Sequence, residues 1–382
     1  MRIKQMVSAV LTATMLICVS GCGSKNDSSG GSESTVSTVP SSPDRPGEMN
    51  ITSAADVVKQ MRIGWNLGNT LDATGGEGLT AETSWGCPVT TKEMIDTIKG
   101  AGFNVLRVPV SWGTHLDEEG NIDKAWLDRV QEVVNYGIDN DMFVILNTHH
   151  EEWYMPTKNH VESDLKTLEK LWQQISERFK NYGDKLMFEG LNEPRLRGQG
   201  AEWTGNKSAR EIVNQYEETF VKTVRATGGN NEQRILFISP YAASSTRENL
   251  LAVKIPENAG NVIVSVHAYL PYDFALNTKG TSFYENDGSI DTLMDNIQSI
   301  FLDNGIPVVI TEFGCINKGN SEDRLKCIED YLTAANKKGV PCVWWDNNSR
   351  VTTSEGFGLL NRANNTWYFP EIIDKINKIM GE

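Results

Sequence analysis

Positive charge is scarce in this chain. Its 36 Lys and Arg are outnumbered by 50 Asp and Glu, for a formal net charge of −14 over 382 residues. That balance provides no electrostatic footprint for nucleic acid or anionic lipid, and it suits a soluble protein acting on a neutral partner. Cysteine is also sparse. Cys18 and Cys22 sit at the start, and Cys87, Cys315, Cys327 and Cys342 are scattered with no Cys-x-x-Cys pair. A zinc or redox motif is thereby excluded, and the spacing identifies no disulfide partners; buried free thiols serve equally well. His149-His150-Glu151-Glu152 lacks the His-Glu-x-x-His spacing of a helical metal site, and adjacent His on a strand end point apart. No metal and no cofactor are expected. No Gly-rich phosphate loop follows the first strand: Gly64-Trp65-Asn66-Leu67-Gly68-Asn69 has the wrong spacing and a bulky Trp inside it. No internal repeat or second domain is visible.

The N-terminus carries what the rest lacks. Arg2 and Lys4 precede an apolar run at 6–19, too short for an ordinary membrane span and suited to an export signal. Val19-Ser20-Gly21-Cys22 resembles a bacterial lipobox, in which the Cys becomes the lipidated first residue. Residues 23–48 are rich in Ser and Gly, with Pro40, Pro43 and Pro46, and read as a flexible tether. A lipid anchor at Cys22 is the only membrane contact expected, on an exported, monomeric protein. All 10 Trp fall from Trp65 onward, so the aromatic content belongs to a single domain at 49–382.

Within that domain one alternation repeats. Strands are predicted at 63–66, 103–110, 142–147, 186–191, 235–239, 262–266, 308–311 and 341–345. Helices are predicted at 90–100, 123–139, 164–182, 208–226, 290–303, 322–338 and 369–379. The helix at 123–139 carries an apolar stripe of Trp126, Leu127, Val130, Val133, Val134 and Ile138. Eight strands alternating with helices imply parallel pairing and a (β/α)8 TIM barrel, with a doubly wound open sheet as the alternative.

In a barrel of this kind chemistry collects at the C-terminal strand ends, and polar residues fall there in this sequence. Strand one leads to Asn66 and Asn69, and strand two carries Arg107. Strand three ends in His149 and His150, strand four in Asn192 and Glu193. Strand six ends in His267 and Tyr269, strand seven in Glu312, strand eight in Trp345. Leu191-Asn192-Glu193-Pro194 and Thr311-Glu312-Phe313-Gly314 each put a carboxylate at the end of an apolar run. Two such glutamates suit paired acid/base chemistry across a glycosidic bond, where one carboxyl donates a proton and the other attacks. Their surroundings would have to separate their pKa values. Arg107 would hold Glu312 ionised, Tyr269 could donate to the same carboxylate, and His267 could manage the proton of Glu193. Asn192, His149 and His150 could hold sugar hydroxyls, and Trp345 offers a flat face to a pyranose ring.

These residues, in this order, resemble glycoside hydrolase family 5, the retaining (β/α)8 hydrolases of β-linked glycans. The resemblance runs from Gly64 to about Ile379. It implies Glu193 as general acid/base and Glu312 as nucleophile, with Arg107, His149, His267, Tyr269 and Trp345 at the matching supporting positions. The opening Gly64-Trp65-Asn66-Leu67-Gly68-Asn69-Thr70-Leu71-Asp72 looks like the branch rich in endo-β-1,4-glucanases, which also holds xyloglucanases, lichenases and some xylanases. A β-glucan polysaccharide or oligosaccharide is the partner implied. A β-mannanase on the same barrel, or a surface lipoprotein that captures polysaccharide without cleaving it, remain the alternatives. Trp85, Trp112, Trp153 and Trp203 are candidates for outer sugar contacts, with core packing equally open to each.

Overall fold

Along each strand, alternate side chains point into or out of the sheet, and this parity organises the domain. Gly64, Val105, Phe143, Ile145, Met187, Phe237, Ile263, Val309 and Val343 share the inward parity; all but Gly64 form one apolar cluster. The outward set, including Trp65, Leu106, Val144, Phe188, Val264, Ile310 and Trp344, packs beneath the surrounding helices.

The computed structural model describes residues 43–50 and 53–381. The export segment, Cys22 and most of the predicted tether lie outside these residues. The elements run α1 (Ala54–Gln60), β1 (Ile63–Leu67), α2 (Lys92–Gly100), β2 (Val105–Val108), α3 (Lys124–Asp139), β3 (Phe143–Asn147), α4 (Val161–Arg178), β4 (Leu186–Glu189), α5 (Lys207–Ala226) and β5 (Leu236–Ile238). They continue with α6 (Arg247–Leu251), β6 (Val262–His267), α7 (Tyr272–Ala275), α8 (Ser289–Ile300), β7 (Val308–Phe313), α9 (Ser321–Lys338), β8 (Cys342–Asp346) and α10 (Pro370–Gly381). The eight strands pair in sequence order and close, β1 against β8, into a parallel barrel. The open-sheet alternative is thereby removed. Among the described residues no helix is long and apolar enough to cross a membrane.

Side-chain caps mark several helix starts. Thr91 caps α2 by accepting from Met94 N, Asp123 caps α3 through Trp126 N, and Asn206 caps α5 through Ala209 N. The predicted stripe of α3 is largely what it buries: Trp126, Val130, Val133 and Val134. Helix α1, which periodicity had not suggested, turns Ala54, Val57 and Val58 onto the inward apolar cluster and plugs the N-terminal mouth of the barrel. At that end the interior is tight. A Cβ on Gly64 would sit 2.8 Å from both methyls of Val343. The four domain cysteines are free and buried.

The tether prediction ends too late. Residues 43–48, expected to be flexible, instead lie on the barrel: Arg45 forks onto Asp139 at 2.6 and 3.0 Å, Gln131 donates to Asp44 at 2.8 Å, and Asn135 donates to Pro43 O at 2.9 Å. Proline content suggested a linker, whereas these polar contacts, made from α3, hold the segment in place.

Behind β4, Glu217 of α5 is buried and forms no ion pair among the described residues. Its Oε1 accepts from Ser239 N at 2.9 Å and faces Ser239 Oγ at 2.8 Å, while the same hydroxyl also reaches Leu191 O at 3.1 Å. One hydroxyl hydrogen cannot serve two acceptors, so a proton on the carboxyl completes the chain of bonds. Burial pushes the Glu217 pKa up to about 8. The folded protein therefore binds a proton that the unfolded chain releases near 4.5, and this group's contribution to stability is lost as pH rises from there to about 8. Thermal midpoints measured from about pH 5 to pH 8 should fall for the wild type and fall less for Glu217→Gln, whose amide keeps a donor. Parallel curves would show that Glu217 is not held neutral.

Candidate active site

The inward layer changes character toward the C-terminal end of the barrel. Above the apolar cluster, β2 presents Arg107, β3 Asn147, β4 Glu189, β6 Ser265 and β7 Thr311, all buried. A guanidinium without water needs its charge and its hydrogens matched, and Arg107 has both. Its Nε donates to Glu189 Oε2 at 2.6 Å, Nη1 to Glu312 Oε1 at 2.7 Å and to Asn66 Oδ1 at 2.9 Å, and Nη2 to Asn192 Oδ1 at 2.8 Å. Burial opposes the cation, but Glu189 and Glu312 more than offset it and keep Arg107 charged.

Glu312 reaches this cluster through an irregularity. Thr311 has the inward parity, so regular alternation would turn its neighbour outward. The pairing of β7 shifts register on both sides, against β6 and against β8, and places Thr311 and Glu312 together on the inner side. Tyr269 donates to Glu312 Oε2 at 2.8 Å. Burial and the Glu312 charge hold the Tyr269 phenol well above its ordinary pKa, so it remains a donor.

Glu193 lies on a loop, because β4 ends at Glu189 rather than at residue 191 as expected. His267 Nδ1 lies 2.9 Å from Glu193 Oε1 and 3.4 Å from Glu312 Oε2, so one imidazole edge faces both carboxylates. An oxygen of Glu193 and one of Glu312 lie within 4.8 Å of each other. The expected separation of pKa values takes an unexpected form at Glu193. Burial pushes it up, but the His267 hydrogen bond and the charges of His267, Arg195 and His150 hold it below the usual carboxylate range.

The remaining expected residues line the rim. His149 Nδ1 accepts from Asn147 Nδ2 at 3.1 Å, an arrangement that puts the ring hydrogen on Nε2. Burial, followed by the charges of His150 and Arg107, keeps its pKa well below the ordinary value and the ring neutral. The His149 ring is parallel to Trp345, centroids 5.6 Å apart, while His150 packs edge-on to His149 and against Trp85. Trp345 closes over Gly68, where a Cβ would lie 2.8 Å from the indole. Asn69, at φ 60°, donates its backbone N–H to Asp72. An open cleft of about 910 Å³ beside the glutamates is lined by Asn69, Trp85, His150, Trp345, Asn347 and Glu355, among others. Of the four loop tryptophans, Trp112 is core, Trp153 is half-buried, and Trp85 and Trp203 are exposed.

Donor atoms of Asp72, His149 and His150, and of Glu193, His267 and Glu312, are each close enough to share a metal ion. Asp72 and the two glutamates are already engaged in the hydrogen bonds and ion pairs given above.

Sequence reasoning missed Glu189, Asn147, Ser265 and Arg195. Glu189 accepts from Arg107, from Asn147 at 3.1 Å and from Ser265 Oγ at 2.5 Å. A signal was present, since Glu189 shares parity with Met187 inside an apolar strand. A buried Arg107 needing more than one counter-charge was the other clue.

The profile of the cellulase family, glycosyl hydrolase family 5, matches residues 71–351. The chain is 56% identical over 354 residues to endoglucanase 1 of Ruminococcus albus, covering 91% of this chain and 87% of that protein. Among solved structures it is similar to a broad-specificity endoglucanase from Ruminococcus champanellensis with bound cellotriose (46% identity, TM-score 0.84, 86% and 99% of the two chains). It is also similar to a xyloglucan-specific endo-β-1,4-glucanase from a metagenomic library, in complex with cellotriose (42% identity, TM-score 0.82, 85% and 98%). With the family profile over most of the barrel and these full-length likenesses, the chain belongs to glycoside hydrolase family 5.

Proposed function

We propose that this protein is a retaining endo-β-1,4-glucanase that cleaves internal bonds of β-glucans. The observation that carries this reading is the pair Glu193 and Glu312, within 4.8 Å and joined by His267, with only Glu312 bound to the buried Arg107. Carboxylates of retaining glycosidases sit about 5–5.5 Å apart, whereas inverting ones need about 6.5–9.5 Å to admit water. Arg107 and Tyr269 each donate to one oxygen of Glu312 and fix its aim, which is what a nucleophile needs. Glu312 attacks the anomeric carbon as Glu193 gives its proton to the leaving oxygen. Water activated by Glu193 then releases the glycosyl group with its configuration retained.

Asn192 accepts from Arg107 through its oxygen, which leaves its amide hydrogens for a sugar hydroxyl; His149 Nε2 and His150 serve other hydroxyls. Trp345 receives the flat face of a pyranose ring. Cellotriose in the R. champanellensis structure supports a β-glucan oligosaccharide as ligand. The xyloglucan-specific neighbour favours a second reading, tolerance of branched β-1,4-glucan, which the open cleft beside Trp345 would accommodate. Export with a lipid at Cys22 belongs to the same proposal.

Glu312→Gln should fold and lose nearly all turnover of soluble β-1,4-glucan, because an amide cannot attack. Glu193→Gln should lose about 10²–10⁴-fold on oligosaccharides. Proton NMR of the first products should show the β-anomer, and an initial α-anomer would rule out the double displacement. Trp345→Ala should weaken cellotriose binding about fivefold or more in calorimetry, in line with the loss of one aromatic contact. Unchanged affinity would remove the stacking role.

A further inference from the structure

The proposed reaction asks Glu193 to carry a proton, yet the free site favours its ionised form. The titratable and charged groups facing it come from every neighbouring element. They are His267 and Tyr269 at β6, His150 and Tyr154 after β3, Glu312 on β7, Glu355 after β8, and Arg195 on its own loop. Arg195 is the one permanent cation among them. Its Nη1 donates to Glu193 Oε2 and to the Glu193 carbonyl, both at 3.2 Å. Left alone, this contact would hold Glu193 as a carboxylate and defeat the acid step.

Arg195 is not left alone. Its Nε donates to Glu202 Oε1 at 3.1 Å, and Glu202 Oε2 is fixed by Gly198 N at 2.9 Å. The backbone bond from Gly198 and the pairing with Arg195 hold Glu202 below its ordinary pKa, so it stays ionised. The guanidinium also lies over the Trp203 ring, 4.5 Å from its centroid, which limits how far the fork can swing. The one cation is therefore divided between two carboxylates on the same loop, and each takes a different nitrogen.

We infer that Arg195 is a positioning residue for Glu193, and that Glu202 is the counterweight that keeps Arg195 from clamping Glu193 in its ionised form. This rests on Glu193 being the general acid. Arg195 orients the Glu193 carboxyl from the side opposite His267. Glu202 takes up part of its charge, so that Arg195 disfavours a proton on Glu193 less than an undivided guanidinium would. Arg195 touches only the Glu193 carboxyl and its backbone carbonyl, and Glu202 acts through Arg195.

The test is the alkaline limb of the kcat/KM profile on cellotetraose, which reports the protonated acid in the free enzyme. Arg195→Met removes the cation and should move the limb up by about one pH unit, within the range for losing an adjacent opposite charge. Arg195→Lys should restore it most of the way. Glu202→Gln should move the limb down, so that kcat/KM measured above it falls severalfold while circular dichroism remains unchanged. A limb that stays put in both Arg195→Met and Glu202→Gln would overturn the inference, as would a downward shift in Arg195→Met. Glu193→Gln separates the two levels of the argument. The limb should be absent in that variant, and its persistence there would overturn the general-acid assignment itself.

Discussion

Of the buried arginines, Arg107 organises the C-terminal half of this barrel. Arg107 rises from β2 into the interior, closed to bulk solvent, and touches residues from β1, β4, β7 and the loop after β4. Transferring a guanidinium out of water costs several kcal/mol unless charge and hydrogen bonds replace the solvent. Glu189 provides the structural counter-charge and is itself enclosed. Glu312 is the second, and it alone of the two keeps some exposure. Removing either partner would leave an uncompensated charge, so the electrostatics that stabilise the C-terminal half also fix the position of Glu312.

The barrel separates two tasks along its axis. At the N-terminal end the inward side chains are apolar, α1 plugs the mouth, and the segment at residues 43–48 straps the outside. Hydrophobic burial provides the stability there. At the other end nearly every inward side chain is polar and bonded to another. That layer is rigid because each member has its partners, and a rigid layer can aim carboxylates without reorganising when charge develops.

The two glutamates differ in how they are held. Glu312 sits on a strand at a register shift, its oxygens committed to Arg107 and Tyr269. Glu193 sits on a loop, between His267 and an Arg195 already shared with Glu202. These placements accord with the roles proposed for them, a fixed nucleophile on the strand and a proton-exchanging acid/base on the loop. Around them the rim supplies aromatic faces at Trp345 and Trp85 and hydrogen-bonding groups at His149 and His150. Substrate preference resides in such loops rather than in the barrel.

The amino-acid sequence alone determined the architecture and the main chemistry. Eight apolar runs alternating with amphipathic helices specify parallel strands, and glutamates, histidines and an arginine clustered at the run ends specify the reactive rim. Both are local patterns, legible because side-chain periodicity reflects burial. Element ends were less legible, as at β4, where apolar Leu191 continued the run after the pairing had stopped. Only the tertiary structure decided the rest. Glu312 points inward because the register of β7 shifts, and register is a relation between strands. Glu189 becomes a counter-charge because closure of the barrel brings β4 across from β2. Residues 43–48 are held because α3 presents Gln131, Asn135 and Asp139 to them. In each case the deciding partner lies far along the chain, and local spacing does not name it.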